Sequence, residues 1–177
     1  MYQEIFLFIL VLILIFYFYY NNSATYIEAF NGKKYKVNGN SLEKANFLAE
    51  LDNRIRTIGD YLVQNNLPDK KCAIRTKSRL DKIELCEIPE NESGAGYTIN
   101  KGDINICIFK NGKMNDLNDA MFVCLHELAH IMSVSYGHGE EFQNNFNFIV
   151  KLAVKKNLYL STDYPNKNKE YCGVKIT

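Results

Sequence analysis

Two histidines four residues apart, in His126-Glu127-Leu128-Ala129-His130, constrain this 177-residue chain more than any other feature. In an α-helix residues i and i+4 stand one turn apart on the same face, so the two imidazoles share a direction only if the segment is helical. The neighbours agree: Leu125, Leu128, Ala129 and Met132 are apolar, as a helix buried beneath its histidine face requires. The sequence predicts this helix from a cap at Asp116 or Asn118 to about Val134. The chain holds three histidines, all within thirteen residues. The third, His138, lies between Gly137 and Gly139, where a permissive backbone lets a loop fold back onto the helix.

This spacing suits Zn2+ held by three protein nitrogens with a fourth position open. The expected metal ligands are His126, His130 and His138. Glu127, rotated about 100° around the helix from His126, flanks the open position and is the expected catalytic base for water activated by the metal. Two other readings stand beside this one. The histidines could be hydrogen-bonded residues of a buried helix, or the site could be closed and structural, with Cys124 or Cys172 as fourth ligand.

A second constraint sits at the start of the chain. From Ile5 to Tyr20 every residue is apolar or aromatic, about 24 Å of helix at roughly 1.5 Å per residue. With Met1 to Glu4 and Asn21 to Ser23 added, the sequence predicts a transmembrane anchor over residues 1–22, with Tyr17, Tyr19 and Tyr20 at one interface. A cleaved signal peptide would want a basic start and small residues at the cleavage point, whereas Glu4 and the bulky Tyr/Phe end argue against one. Lys33, Lys34 and Lys36 follow the run and nothing basic precedes it, so the expected placement is a single-pass protein with residues 21–177 on the cytosolic side.

Residues 23–40 read as a linker with a short strand near residues 34–37. A helix follows, capped by Ser41, with Leu42, Ala45, Leu48, Leu51, Ile55, Ile58 and Leu62 as its apolar stripe; Asn65, Asn66 and Pro68 end it. Residues 69–95 give no clear pattern. Tyr97 to Ile99 and Ile104 to Phe109 flank Asn100-Lys101-Gly102-Asp103 as a β-hairpin, with Ile104, Ile106 and Ile108 on one face. Asn111-Gly112 marks a further turn. A last helix is expected over about Glu140 to Lys156, and residues 157–177 read as extended, broken at Pro165 and Gly173.

The net charge of +1 leaves no global basic field for unspecific nucleic-acid binding. Lys70, Lys71, Arg75, Lys77 and Arg79 form the one basic patch, read as a solvated face. The five cysteines, Cys72, Cys86, Cys107, Cys124 and Cys172, are odd in number and widely spaced, so a disulfide framework is not expected and free buried thiols are.

His126-Glu-Leu-Ala-His130, a short loop, and Gly137-His138-Gly139-Glu140-Glu141-Phe142 resemble the WLM and SprT-like zinc metallopeptidases. The resemblance covers roughly residues 90–155 and includes the Gly96–Asp103 segment and the strand after it. The metzincin pattern is absent, since Ser133 and Tyr136 stand where it needs glycine and histidine, and the upstream cysteines lack the glycine-rich surroundings of a deformylase. The resemblance implies a small α+β zincin-like domain, here residues 41–177 behind the transmembrane helix, that cleaves protein or peptide substrates. It matches His126, His130 and His138 to ligands and Glu127 to the base. It also sets Glu141 in an acidic position that either orients a ligand or faces solvent. Tyr97, Tyr136 and Tyr171 are candidate oxyanion donors, and the Ile104–Phe109 strand a candidate platform for an extended substrate. The family's work on DNA-crosslinked proteins is not carried over, because this chain shows no basic cluster for it. The expected function is a membrane-anchored zinc metallopeptidase. The alternatives are a membrane-anchored interaction protein with a structural or inactive zinc site, and a metal hydrolase acting on a bond other than the peptide bond.

Overall fold

The computed structural model describes residues 2–164 and 169–176, with side chains described over 4–17, 23–164 and 169–176. The first helix, α1 (Tyr2–Asn22), contains the apolar run. Among the described residues no helix is long and apolar enough to cross a membrane. The expected transmembrane helix over residues 1–22 is therefore corrected, and so is the single-pass placement with a cytosolic domain. The physical reason is length. Sixteen apolar residues cover about 24 Å, against a hydrocarbon core of about 30 Å, and the residues that would extend them are polar. The described side chains of α1, from Glu4 to Tyr17, are exposed; those of Tyr19 and Tyr20 lie outside the described residues.

The rest is a mixed α/β arrangement rather than an α+β domain behind an anchor. One sheet has the order β1-β2-β3-β5-β4. Its strands are β1 (Ala24–Glu28), β2 (Lys34–Asn38), β3 (Leu85–Glu87), β4 (Gly96–Thr98) and β5 (Ile104–Ile106). The β1–β2 and β4–β5 pairs are antiparallel, while β2–β3 and β3–β5 are parallel. Residues 23–40, read as a linker with one short strand, contribute two strands to the sheet: β2 lies where that strand is expected, and β1 is added. Alternation explains why: Tyr35 and Val37 are buried while Lys34 and Lys36 are exposed, which is the pattern of a strand with one face on a core.

Helix α2 (Leu42–Asn65) follows the sequence reading closely. Ser41 accepts from the Lys44 amide, Asn66 ends the helix in a left-handed conformation, and the apolar stripe is buried apart from Leu42. Residues 69–95, left unassigned by pattern, hold α3 (Lys70–Leu80) and β3. Asp69 caps α3 through the Cys72 amide, and its buried stripe is Cys72, Ala73, Thr76 and Leu80. The spacing is helical, but small and polar residues carry it, so periodicity of large apolar residues is missing.

After β5 come a hairpin, β6 (Phe109–Lys110) and β7 (Lys113–Met114), with Asn111 and Gly112 at positive φ in its turn. Then come α4 (Leu117–Met132) and α5 (Glu140–Lys155), and a C-terminal hairpin of β8 (Glu170–Tyr171) and β9 (Val174–Lys175) turned at Gly173. Pro165 lies outside the described residues. Helices α2 and α4 pack on the sheet and on each other, α3 covers them, and α5 lies along α4.

A disulfide joins Cys107, just past β5, to Cys172 in the C-terminal hairpin. This corrects the expectation of free thiols at those two positions; Cys72, Cys86 and Cys124 are free and buried. The partners are 65 residues apart and meet only because the tertiary fold returns the chain end to the sheet.

Candidate metal centre

Helix α4 is the element that carries the site. Asp116 caps it by accepting from the amides of Asn118 and Asp119. Its buried face includes Ala120, Met121, Val123, Cys124, Leu125, Leu128 and Ala129, which leaves His126 and His130 pointing together away from the core. At Gly96 the helix lies against the edge strand β4 so closely that an added Cβ would sit 2.6 Å from Val123 Cγ1. Glycine at that position is what allows α4, and therefore His126 and Glu127, to run beside β4.

The loop after α4 returns His138 to the helix. The Nε2 atoms of His126 and His138 are 2.9 Å apart, and those of His130 and His138 are 3.2 Å apart. Candidate ligand atoms of the three all lie within 4.8 Å of one another. Two nitrogens sharing a tetrahedral zinc at about 2.0–2.1 Å stand about 3.3–3.4 Å apart, so the triad has close to the dimensions needed to hold a metal ion. Burial, followed by the His130 and His138 charges, pushes the His126 pKa down to about 4. His130 is lowered by burial, His138 and Lys101. Neutral imidazoles with free lone pairs are the form that binds a metal. Phe142, 1 % exposed, forms the floor: its ring centroid is 4.8, 4.4 and 4.7 Å from those of His126, His130 and His138.

Glu127 is buried, and that burial raises its pKa to about 7; Thr98 opposes the shift. The Thr98 hydroxyl is buried and lies close enough to lower the carboxyl, yet it falls short of hydrogen-bond geometry. A carboxyl held near neutrality can both take up and release a proton at ordinary pH.

Three cations close the C-terminal end of α4. Lys101 Nζ donates to the carbonyls of His130, Ser133 and Ser135 at 3.0, 2.7 and 2.9 Å. Arg79 donates to the carbonyls of Ile131 and Ser133, and Arg75 to that of Met132 at 2.9 Å. They satisfy the carbonyls that a helix end leaves unpaired and oppose its negative pole. Arg75 and Arg79, read in sequence as part of a solvated face, are half-buried in this role. Glu141 braces the same loop, accepting from the amides of Val134 and Ser135 at 2.7 and 2.8 Å and from the Ser135 hydroxyl at 2.6 Å. Those bonds hold its pKa down to about 2. Its hydrogen bonds therefore go to the loop backbone rather than to a histidine.

Other candidates separate cleanly. Tyr97 and Tyr136 line the cleft beside the triad, whereas Tyr171 is buried and donates to the Cys107 carbonyl. Cys172 is committed to the disulfide, and Cys124 is fully buried and outside the histidine cluster. Strand β5 is paired on both sides, by β3 and β4, so the sheet edge at the cleft is β4. Sequence reasoning missed the capping cations, because Lys101 and His130 are 29 residues apart and Arg75 and Met132 are 57 apart. Phe142 belongs to the motif, but its place under the rings follows only from the packing of α5 on α4.

Fold and site together define a mixed α/β protein with a histidine triad that could hold a metal ion. The chain belongs to the family of "Uncharacterized protein R325" of Acanthamoeba polyphaga mimivirus, with 33% identity over 164 residues, 88% of this chain and 83% of that protein. It is also similar to "Uncharacterized protein 136R" of Invertebrate iridescent virus 6, 38% identical over 92 residues, 50% of this chain and 51% of that one. No protein-family model matches. Among solved structures, Wss1 from Saccharomyces cerevisiae overlaps 50% of this chain and 77% of its own, at 18% identity and a TM-score of 0.36. An overlap of that extent fixes neither fold nor activity for this chain.

Proposed function

We propose that this protein is a zinc metallopeptidase in which His126, His130 and His138 hold the ion and Glu127 handles the proton. The observation that carries the reading is the convergence of three imidazole nitrogens next to a buried carboxyl whose pKa is raised to about 7. Zinc, when bound, supplies a Lewis acid that polarises a carbonyl and acidifies water. Glu127 takes the proton released as water attacks the peptide carbonyl and gives it to the departing amine nitrogen, so one group serves as base and then acid. The substrate lies extended along β4, the last strand of the sheet, and pairs with its outer edge. Tyr97 and Tyr136 are the phenols available in the cleft to donate to a developing oxyanion. The Phe142 floor keeps water away from the rear of the histidine rings.

The discriminating experiment pairs zinc content by elemental analysis with cleavage of an unfolded protein such as casein. Wild type is expected to carry about one zinc and to cut. Glu127→Gln is expected to keep the zinc and lose cleavage. Turnover that survives this substitution rules out the assigned base, and well-folded protein that takes up no zinc rules out the whole reading.

A further inference from the structure

The cleft does not end at the histidines. Its half beside the triad and a second pocket of ≈ 300 Å³ share Gly96, His126 and Glu127. The second pocket runs toward the start of α4, and its walls are mainly apolar: Ala95, Phe122, Val123, Val174 and Ile176, with Lys175 also contributing. Val174 to Ile176 belong to the C-terminal hairpin, which is held in place by three contacts around one disulfide and by a separate ion pair. Cys172 is bonded to Cys107 at the end of β5. Tyr171 donates to the Cys107 carbonyl, Asn115 Nδ2 lies 3.0 Å from Cys172 Sγ, and Lys169 is ion-paired with the buried Asp119 of α4.

We propose that this pocket is a subsite for an apolar side chain of the substrate, and that the disulfide-tethered hairpin sets its selectivity through Val174 and Ile176. The proposal rests on the peptidase reading. A peptide along β4 passes both halves of the cleft, so a residue flanking the bond held at His126 and Glu127 projects its side chain into this second half. A polar side chain there loses water and finds few partners, Lys175 and Glu127 being the charged groups of the wall. A branched aliphatic or aromatic side chain is removed from water against Phe122, Val123 and Ile176.

The test uses direct binding as well as cleavage. With the full chain labelled at its methyl groups and no zinc added, N-acetyl-leucinamide is titrated in, with N-acetylglycinamide as control. Preferential shifts at Val174 and Ile176, and affinity for the leucine amide about tenfold or more above that for the glycine amide, support the subsite. Val174→Asp is expected to remove most of that preference. Cys172→Ser, which leaves the lining intact, is expected to weaken it by loosening the wall. Equal response to both amides, or shifts confined to other regions, overturns the proposal. Peptide-library cleavage by zinc-loaded protein then separates the two ideas. Cleavage whose side-chain preference is unchanged in Val174→Asp sinks the subsite and leaves the peptidase standing. Leucine-selective binding in a protein that never cleaves sinks the peptidase and leaves the pocket's selectivity.

Discussion

Lys101 Nζ lies 3.0 Å from the carbonyl oxygen of His130, so the turn that joins β4 to β5 is tied to the helix turn that presents the second histidine. Lys101 adopts a positive φ of 59° in that turn, and the amine reaches two further carbonyls of the loop leading to His138. Replacing it with methionine leaves these carbonyls short of a donor. Lys101→Met is expected to destabilise the fold by about 1–3 kcal/mol and to weaken zinc binding, read by chemical denaturation and by competition with a chelator.

Gly96 faces Val123 across the closest approach of α4 to the sheet. A methyl group there meets a branched side chain and the Asn105 carbonyl at 3.3 Å, neither of which can swing aside. Gly96→Ala is expected to cost about 1–3 kcal/mol and to displace His126 and Glu127 from the edge strand. The check is thermal denaturation together with any measured cleavage rate, and both should fall.

Glu141 gives the pH dependence its sign. Its pKa is lowered from 4.5 to about 2 by the Ser135 hydroxyl and the two loop amides. The folded protein thus binds fewer protons than the unfolded chain between those values, and stability falls as pH falls through them. The contribution is complete above about pH 4.5 and is lost on approaching pH 2. Glu141→Gln is expected to be less stable than wild type at neutral pH, with the difference shrinking across that window. Denaturation curves of both proteins at several pH values would measure it.

Phe142 sits under all three imidazoles and is almost fully buried. Truncation to alanine opens a cavity and is expected to cost about 3–5 kcal/mol. Phe142→Leu keeps most of the volume, so it should fold while holding the rings less firmly. Imidazole resonances of His126, His130 and His138 that broaden in Phe142→Leu would show this, and rings as well ordered as in wild type would contradict it.

Much of this site is legible in the sequence because its parts are local. The i, i+4 histidine pair, the glycine-flanked His138 and the Ser41 and Asp116 caps each depend on a few consecutive residues. What escaped depends on distance along the chain. The α3 stripe holds one large apolar residue, Leu80; the others, Cys72, Ala73 and Thr76, are too small or too polar to announce a buried face. The β1–β2 hairpin looked mostly like a linker because few large apolar residues, Ile27, Tyr35 and Val37, mark its inner side. The apolar run of α1 suggested a membrane span by composition, while its length falls short of one. No spacing rule links Cys107 to Cys172, nor Arg75 to the carbonyl of Met132.

The bond between Cys107 and Cys172 has a topological consequence. All three histidines, Glu127 and the loop joining α4 to α5 lie within the ring of chain that it closes. A backbone cut anywhere inside that ring, including the exposed stretch from Val134 to Gly139, leaves two fragments that still travel as one molecule. Such a nick is silent on a non-reducing gel and appears as two bands only after a thiol is added, so damage to the centre of this protein would pass unseen in any preparation judged without reductant.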